Sequence, residues 1–166
     1  MPNSTTSKNT DRRSGGATGR RLHAIYRRYH RPVYLRMDPL VCVRRYREPA
    51  EREIAGLVAS SLAYGRVEQI IRSVDKVFET AGPSLRRFST DTSLTEKRRR
   101  LAEFKHRFND GDDMAALLHA VGDVVERYGS LETLFKKCLA ARKEYREALA
   151  AFCGELRARA MRGAGS

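Results

Sequence analysis

The sequence predicts an all-α protein, and three observations carry that prediction. Apolar residues recur at i, i+3, i+4 and i+7 through most of the chain. Helix boundaries are punctuated by Asp38-Pro39, Pro49-Ala50-Glu51, Gly82-Pro83 and Gly129-Ser130. No stretch alternates apolar and polar residues at the period of a strand, and no internal repeat is present.

Residues 1–19 are Ser, Thr, Asn, Gly and Arg with almost no apolar content, so a disordered basic tail is expected there. Its acid-poor makeup also resembles a transit peptide, but it lacks an amphipathic stripe. The helical domain is expected over 20–162, with a flexible end at 163–166. Leu22, Ile25, Tyr26 and Tyr29 define a first helix that stops near Pro32, with the two tyrosines on its core side or, spaced among the arginines, available to stack on bases. Asp38 is suited to cap a short helix through Leu40, Val41 and Tyr46, with Pro39 at its first position.

The central helix is the most informative segment. From Ile54 to Tyr64 it is almost uncharged, and a helix that is apolar around most of its surface belongs in the middle of a helical domain. Glu51 and Glu53 suit its own positive N-terminal end. The helix breaks at Tyr64-Gly65-Arg66, and an amphipathic helix resumes at Val67 and runs to about Thr80. A helical turn follows at Leu85 to Phe88, then a basic helix carrying Lys97 to Arg100, Leu101 and Phe104. Asn109 to Asp112 form a turn into a helix bearing Met114, Leu117, Leu118, Val121, Val125 and Tyr128. Gly129 closes it, and Ser130 caps a short helix with Leu131, Leu134 and Phe135. A last helix carries Tyr145, Leu149, Phe152 and Leu156.

Composition bounds the function. The 166 residues carry a formal net charge of +13, which attracts nucleic acid or another polyanion, although an Arg- and Ala-rich chain also reflects a GC-rich genome. No run approaches a membrane span and no signal core is present, so a cytoplasmic protein is expected. The three cysteines lack CxxC spacing and sit in apolar patterns, as reduced thiols do, and the four histidines include no HxxxH or HExxH pair. Neither a metal nor a cofactor is expected. Asp110, Asp112 and Asp113 fail the calcium-loop template and suit a helix start instead.

Two cationic groups are candidate nucleic-acid contacts. Arg20, Arg27, Arg28 and Arg31 fall mostly away from the first helix's apolar stripe, as a solvated face or a phosphate-binding arm. Arg99 belongs to the run Lys97 to Arg100, the second basic patch. No nucleophile-base pair, P-loop or GxGxxG occurs. Gly122 lacks the partner glycine of a hairpin turn and lies inside a continuous apolar period.

DPLVCVRRY (38–46), EREIAGLVASSLAYGRVEQIIRSVDKVF (51–78), FKHRFNDGDDMAALL (104–118) and YGSLETLF (128–135) together resemble a bacterial family of unknown function. It is the domain of unknown function numbered twenty-four hundred, and the resemblance extends over about 20–160. That family is similar to the helix-hairpin-helix DNA glycosylase superfamily, which implies an orthogonal multi-helix domain, and this chain resembles the N-terminal part of such a fold. The resemblance implies a DNA-facing role for Tyr64, Arg66 and Gln69, beside the structural reading of a buried Tyr and an elbow Gly. Family members continue into a second helical half with an Asp-Thr-His type motif. No Asp-Thr-His occurs here, so no catalytic residue carries over. The expectation is a truncated or split module that binds DNA without catalysis. The alternative is an interaction module whose apolar face takes a partner polypeptide.

Overall fold

The structure, a computed structural model, describes residues 16–142 and 144–164, with the backbone alone at 163 and 164. The chain divides into two compact units between Tyr34 and Leu35. The first contains α1 (Ala17–Tyr29) and the start of a 3-10 segment, Pro32–Met37. Helix α1 begins at Ala17, so the expected tail gives way to helix before residue 20, and residues 1–15 of it lie outside the described residues. No residue of α1 is buried. Tyr26 and Tyr29, expected to face a core, are more than half exposed. Tyr26 stacks instead on His30, and Tyr29 tilts against Tyr34.

The second unit holds α2 (Leu40–Val43), α3 (Pro49–Ser61), α4 (Val67–Ala81), α5 (Leu85–Asp91), α6 (Leu94–Leu101), α7 (Gly111–Tyr128), α8 (Leu131–Ala140) and α9 (Tyr145–Ala164). Each start follows from local chemistry. Pro49 opens α3, whose free first amides make proline harmless there. Ser84, Ser93 and Ser130 cap α5, α6 and α8 with their hydroxyls. Asp110 accepts from the Asp112 and Asp113 amides while Asp113 accepts from the Asp110 amide, a reciprocal cap at α7. The expected helix after Asp38 is shorter than its apolar pattern: it closes at Val43, though Asp38 does accept from the Leu40 amide at 2.8 Å.

Glu51 lies in the first turn of its own helix as expected, and both Glu51 and Glu53 also reach beyond it. Glu51 accepts from the Leu85 and Arg86 amides at the start of α5 and from the Ser84 hydroxyl. Glu53 accepts from the Leu131 amide at the start of α8. One turn of α3 therefore supplies the negative charge for two other positive helix ends.

Helix α7 is the axis of the unit, packed by α9, α5, α6 and α8. Its Met114, Leu118, Val121 and Val125 join Ile54 and Val58 of α3 and Val74 and Val77 of α4 in one core. Each such side chain contributes roughly 1.5–3 kcal/mol on burial. Close approach to α7 needs missing side chains. A Cβ on Gly122 would stand 2.1 Å from the Ser89 carbonyl oxygen, and one on Gly111 would stand 2.1 Å from that of Leu101. Gly122 is thus a packing glycine inside α7.

Two departures bear on the site. A short antiparallel hairpin, β1 (Lys105–His106) with β2 (Asn109–Asp110), lies where only a turn was expected. Two-residue strands are too brief to show alternation. In addition, Lys97, placed by sequence on a cationic surface run, is fully buried. Its ammonium donates to the Ser89 and Thr92 carbonyls at 2.8 and 2.5 Å, closing the C-terminal end of α5. Burial lowers its pKa to about 8, opposed by the charges of Asp123, Glu126 and Asp91.

Candidate nucleic-acid interface

The Tyr64-Gly65-Arg66 elbow is where the chain leaves the core helix α3 and enters the amphipathic α4. Gly65 has φ +113°, a conformation that suits glycine. Arg66 is exposed, and its carbonyl accepts the first helical bond of α4, from Ile70. Gln69 is exposed one turn on.

Tyr64 locks this elbow to the hairpin. Its hydroxyl donates to the His106 carbonyl at 3.2 Å and bonds the Asn109 side-chain oxygen. The fully buried His106 ring stands edge-on to Tyr64. Its Nδ1 is 2.8 Å from the Ser73 hydroxyl and its Nε2 is 3.2 Å from the Tyr64 carbonyl. Nε2 meets a carbonyl, so that nitrogen carries a proton. The Asn109 amide also donates toward the Asp113 carboxylate, which ties the hairpin to the cap of α7.

Arg107 and Phe108 form the two-residue tip of the hairpin. Arg107 has φ +53°, the only positive φ of a non-glycine residue among the described residues. It occupies the first loop position, where tight hairpin turns commonly use glycine. Its side chain lies across Gly65, with Cδ 3.2 Å from where a Cβ would stand, so the tip and the elbow share one surface. Phe108 is 84% exposed, with the Arg107 guanidinium 5.9 Å from its ring centre.

The other candidates are dispersed. Arg20, Arg27, Arg28 and Arg31 are exposed on or just after α1, in the first unit. Arg99 on α6 is exposed and chelates Glu96 through two hydrogen bonds at 2.6 and 2.7 Å. Within the run from Lys97 to Arg100, Arg100 donates to the Thr80 carbonyl and covers the Phe88 ring. The run is therefore largely spent on folding. The sequence marks Tyr64, Arg66 and Gln69 as candidates and does not single out His106, Arg107 and Phe108, which the structure joins to them. Phe108 falls at helical spacing from Phe104, so periodicity alone gives no signal for an exposed tip.

Among the described residues no cluster of three or more His, Cys, Asp or Glu could hold a metal ion. No helix among them is long and apolar enough to cross a membrane. Cys42 and Cys138 are buried and Cys153 is exposed, all as free thiols. Burial beside Asp75 pushes the Cys42 thiol up to about 11, so it stays protonated and unreactive near neutrality.

Fold and corner together define the class: an all-helical domain in which a helix elbow and a strained hairpin carry exposed arginine and phenylalanine. Residues 38–165 match the family described as Protein of unknown function (DUF2400), and the chain belongs to that family. The match starts at Asp38, so α1 and its arginines stand outside it. No curated protein and no solved structure matches the chain.

Proposed function

We propose that this protein is a nucleic-acid-binding helical module that contacts its ligand through the joined elbow and hairpin tip. The observation that carries the reading is Arg107 lying across Gly65, which brings two consecutive chemistries, the Arg66 elbow and the Arg107-Phe108 tip, onto one exposed corner. An exposed guanidinium beside an aromatic ring supplies phosphate attraction and base contact at one place. The net charge of +13 supplies the long-range attraction. The glycosylase-like resemblance of the sequence agrees with DNA as the ligand, and the reading assigns no bond-breaking step to these residues.

Fluorescence polarisation with labelled single- and double-stranded oligonucleotides tests it. Binding at low ionic strength is expected, with log K falling linearly against log salt. A flat titration at low ionic strength for both ligands overturns the reading.

A second reading has its own observation. Leu57, Leu131, Phe135, Tyr145, Leu149 and Phe152 line an apolar groove of about 370 Å³, and Tyr145 is 64% exposed at its edge. Such a groove suits a partner polypeptide with an apolar side chain.

A further inference from the structure

Phe108 is the most exposed large apolar side chain among the described residues, at 84%. An aromatic ring in water ordinarily folds back onto the nearest apolar surface, and three features prevent that here. The register His106↔Asn109 leaves only two residues at the tip. His106, buried and bonded at both ring nitrogens, anchors one strand, while Tyr64 and Asp113 hold Asn109 on the other. Arg107 takes up a backbone conformation unfavourable to an L-residue by about 1–2 kcal/mol. Strain of this kind persists where the surrounding structure over-determines it, and it concentrates at ligand-contacting sites.

The neighbours of the ring select the ligand. Arg107 is beside it, and Arg66 follows the glycine that Arg107 covers. The carboxylates that follow the tip in sequence are engaged in the α7 cap: Asp110 accepts from the Asp112 and Asp113 amides, and Asp113 from the Asp110 amide and Asn109; Glu68 is exposed in the first turn of α4. A flat apolar ring with a guanidinium beside it, set clear of the protein, matches a nucleobase with its adjoining phosphate. Bases inside a duplex are already stacked on both faces, and opening a step costs a few kcal/mol. An unpaired base presents its face without that cost.

Resting on the nucleic-acid reading above, we propose that Phe108 is a stacking platform for an unpaired nucleobase, with Arg107 and Arg66 holding the adjoining phosphates. The site therefore selects single-stranded over fully paired nucleic acid.

The chain contains no tryptophan, so Phe108→Trp introduces a single indole at the tip. Titration of that variant with an oligothymidylate of about twelve nucleotides, within the usual site size, is expected to quench its emission. In polarisation assays Phe108→Ala should bind the same labelled oligonucleotide about tenfold more weakly, the loss of one base stack. Binding of a blunt, fully paired duplex should change by less than about twofold. Circular dichroism should show both variants folded like the parent, since the side chain is solvent-exposed. If the oligonucleotide binds but indole emission and Phe108→Ala affinity are unchanged, stacking is wrong while the nucleic-acid reading stands. If neither oligonucleotide nor duplex binds at low ionic strength, both fall.

Discussion

Glu53, in the second turn of α3, accepts a hydrogen bond from the backbone amide of Leu131 at 2.9 Å, across 78 residues of chain. A carboxylate from the core helix thus caps the start of α8, and Glu51 does the same for α5. Neither contact is visible in local sequence, because acids near a helix start satisfy the ordinary expectation for that helix alone. Glu53→Ala should destabilise the protein by about 1–2 kcal/mol, the usual loss for a cap of this kind. Glu53→Gln, which keeps an acceptor, should lose less. Urea unfolding followed by circular dichroism checks this through the midpoint at constant slope.

Two helical glycines, one in α7 and one in α3, give a contrast between two substitutions of the same chemistry. Gly122→Ala forces a methyl against the Ser89 carbonyl and should cost about 3 kcal/mol or more, because backbone rather than a flexible side chain must yield. Gly56→Ala in α3 meets nothing within 4 Å and should stabilise by up to about 1 kcal/mol. Thermal unfolding of the two variants should move in opposite directions.

Lys97 makes stability depend on alkaline pH. Its folded pKa, about 8, lies below the ordinary 10.5, so the unfolded chain holds more protons between those values. Stability from this group therefore rises as pH increases through that window, by of order 3 kcal/mol at most. Cys42 acts oppositely: its thiol is raised from 9.0 to about 11, so its contribution falls as pH rises between those values. The interval from pH 8 to 9 separates them. There Lys97→Met should flatten the rise seen in the parent by urea titration at each pH.

Arg107 separates folding from binding. Arg107→Gly relieves the positive φ at the cost of a more flexible unfolded chain, so stability should stay level or rise by up to about 1 kcal/mol. Affinity for single-stranded oligonucleotide should nevertheless fall, and the salt slope should shrink by about one charge. Equal loss of stability and affinity would show that Arg107 acts only through the fold.

Arg66→Ala should weaken binding to oligonucleotides of different sequence by similar factors, as a phosphate contact does. A change confined to one sequence in parallel polarisation titrations would count against that role.

Much of the helical order was legible because it is written in local periodicity and punctuation. The α4 stripe of Ile70, Val74 and Val77 and the Asp110 and Ser130 caps are read within a few residues of themselves. The illegible parts depend on distant partners. Lys97 looked like one of four surface cations, but the carbonyls at the end of α5 and the cover of α7 take it inside. Tyr26 and Tyr29 follow the same periodic rule as buried residues yet remain exposed, since the rule identifies a stripe and not its cover. At the corner, Tyr64 and Arg66 were marked by the glycine between them. Phe108 was not, because a two-residue strand leaves no pattern.

Gly111 and Gly122 are separated by about three helical turns, so their bare backbones fall on nearly the same flank of α7. The ends of α6 and α5 rest there, one carbonyl against each glycine. Turning α7 by one residue, about 100°, would drive a side chain into both carbonyls at once. Sliding it by a turn would lose both contacts together. The pair therefore acts as a two-point key that admits a single axial and rotational setting. Because the hairpin feeds directly into α7 through Asp110 and Gly111, the same key fixes how far and in what direction the Arg107-Phe108 tip projects.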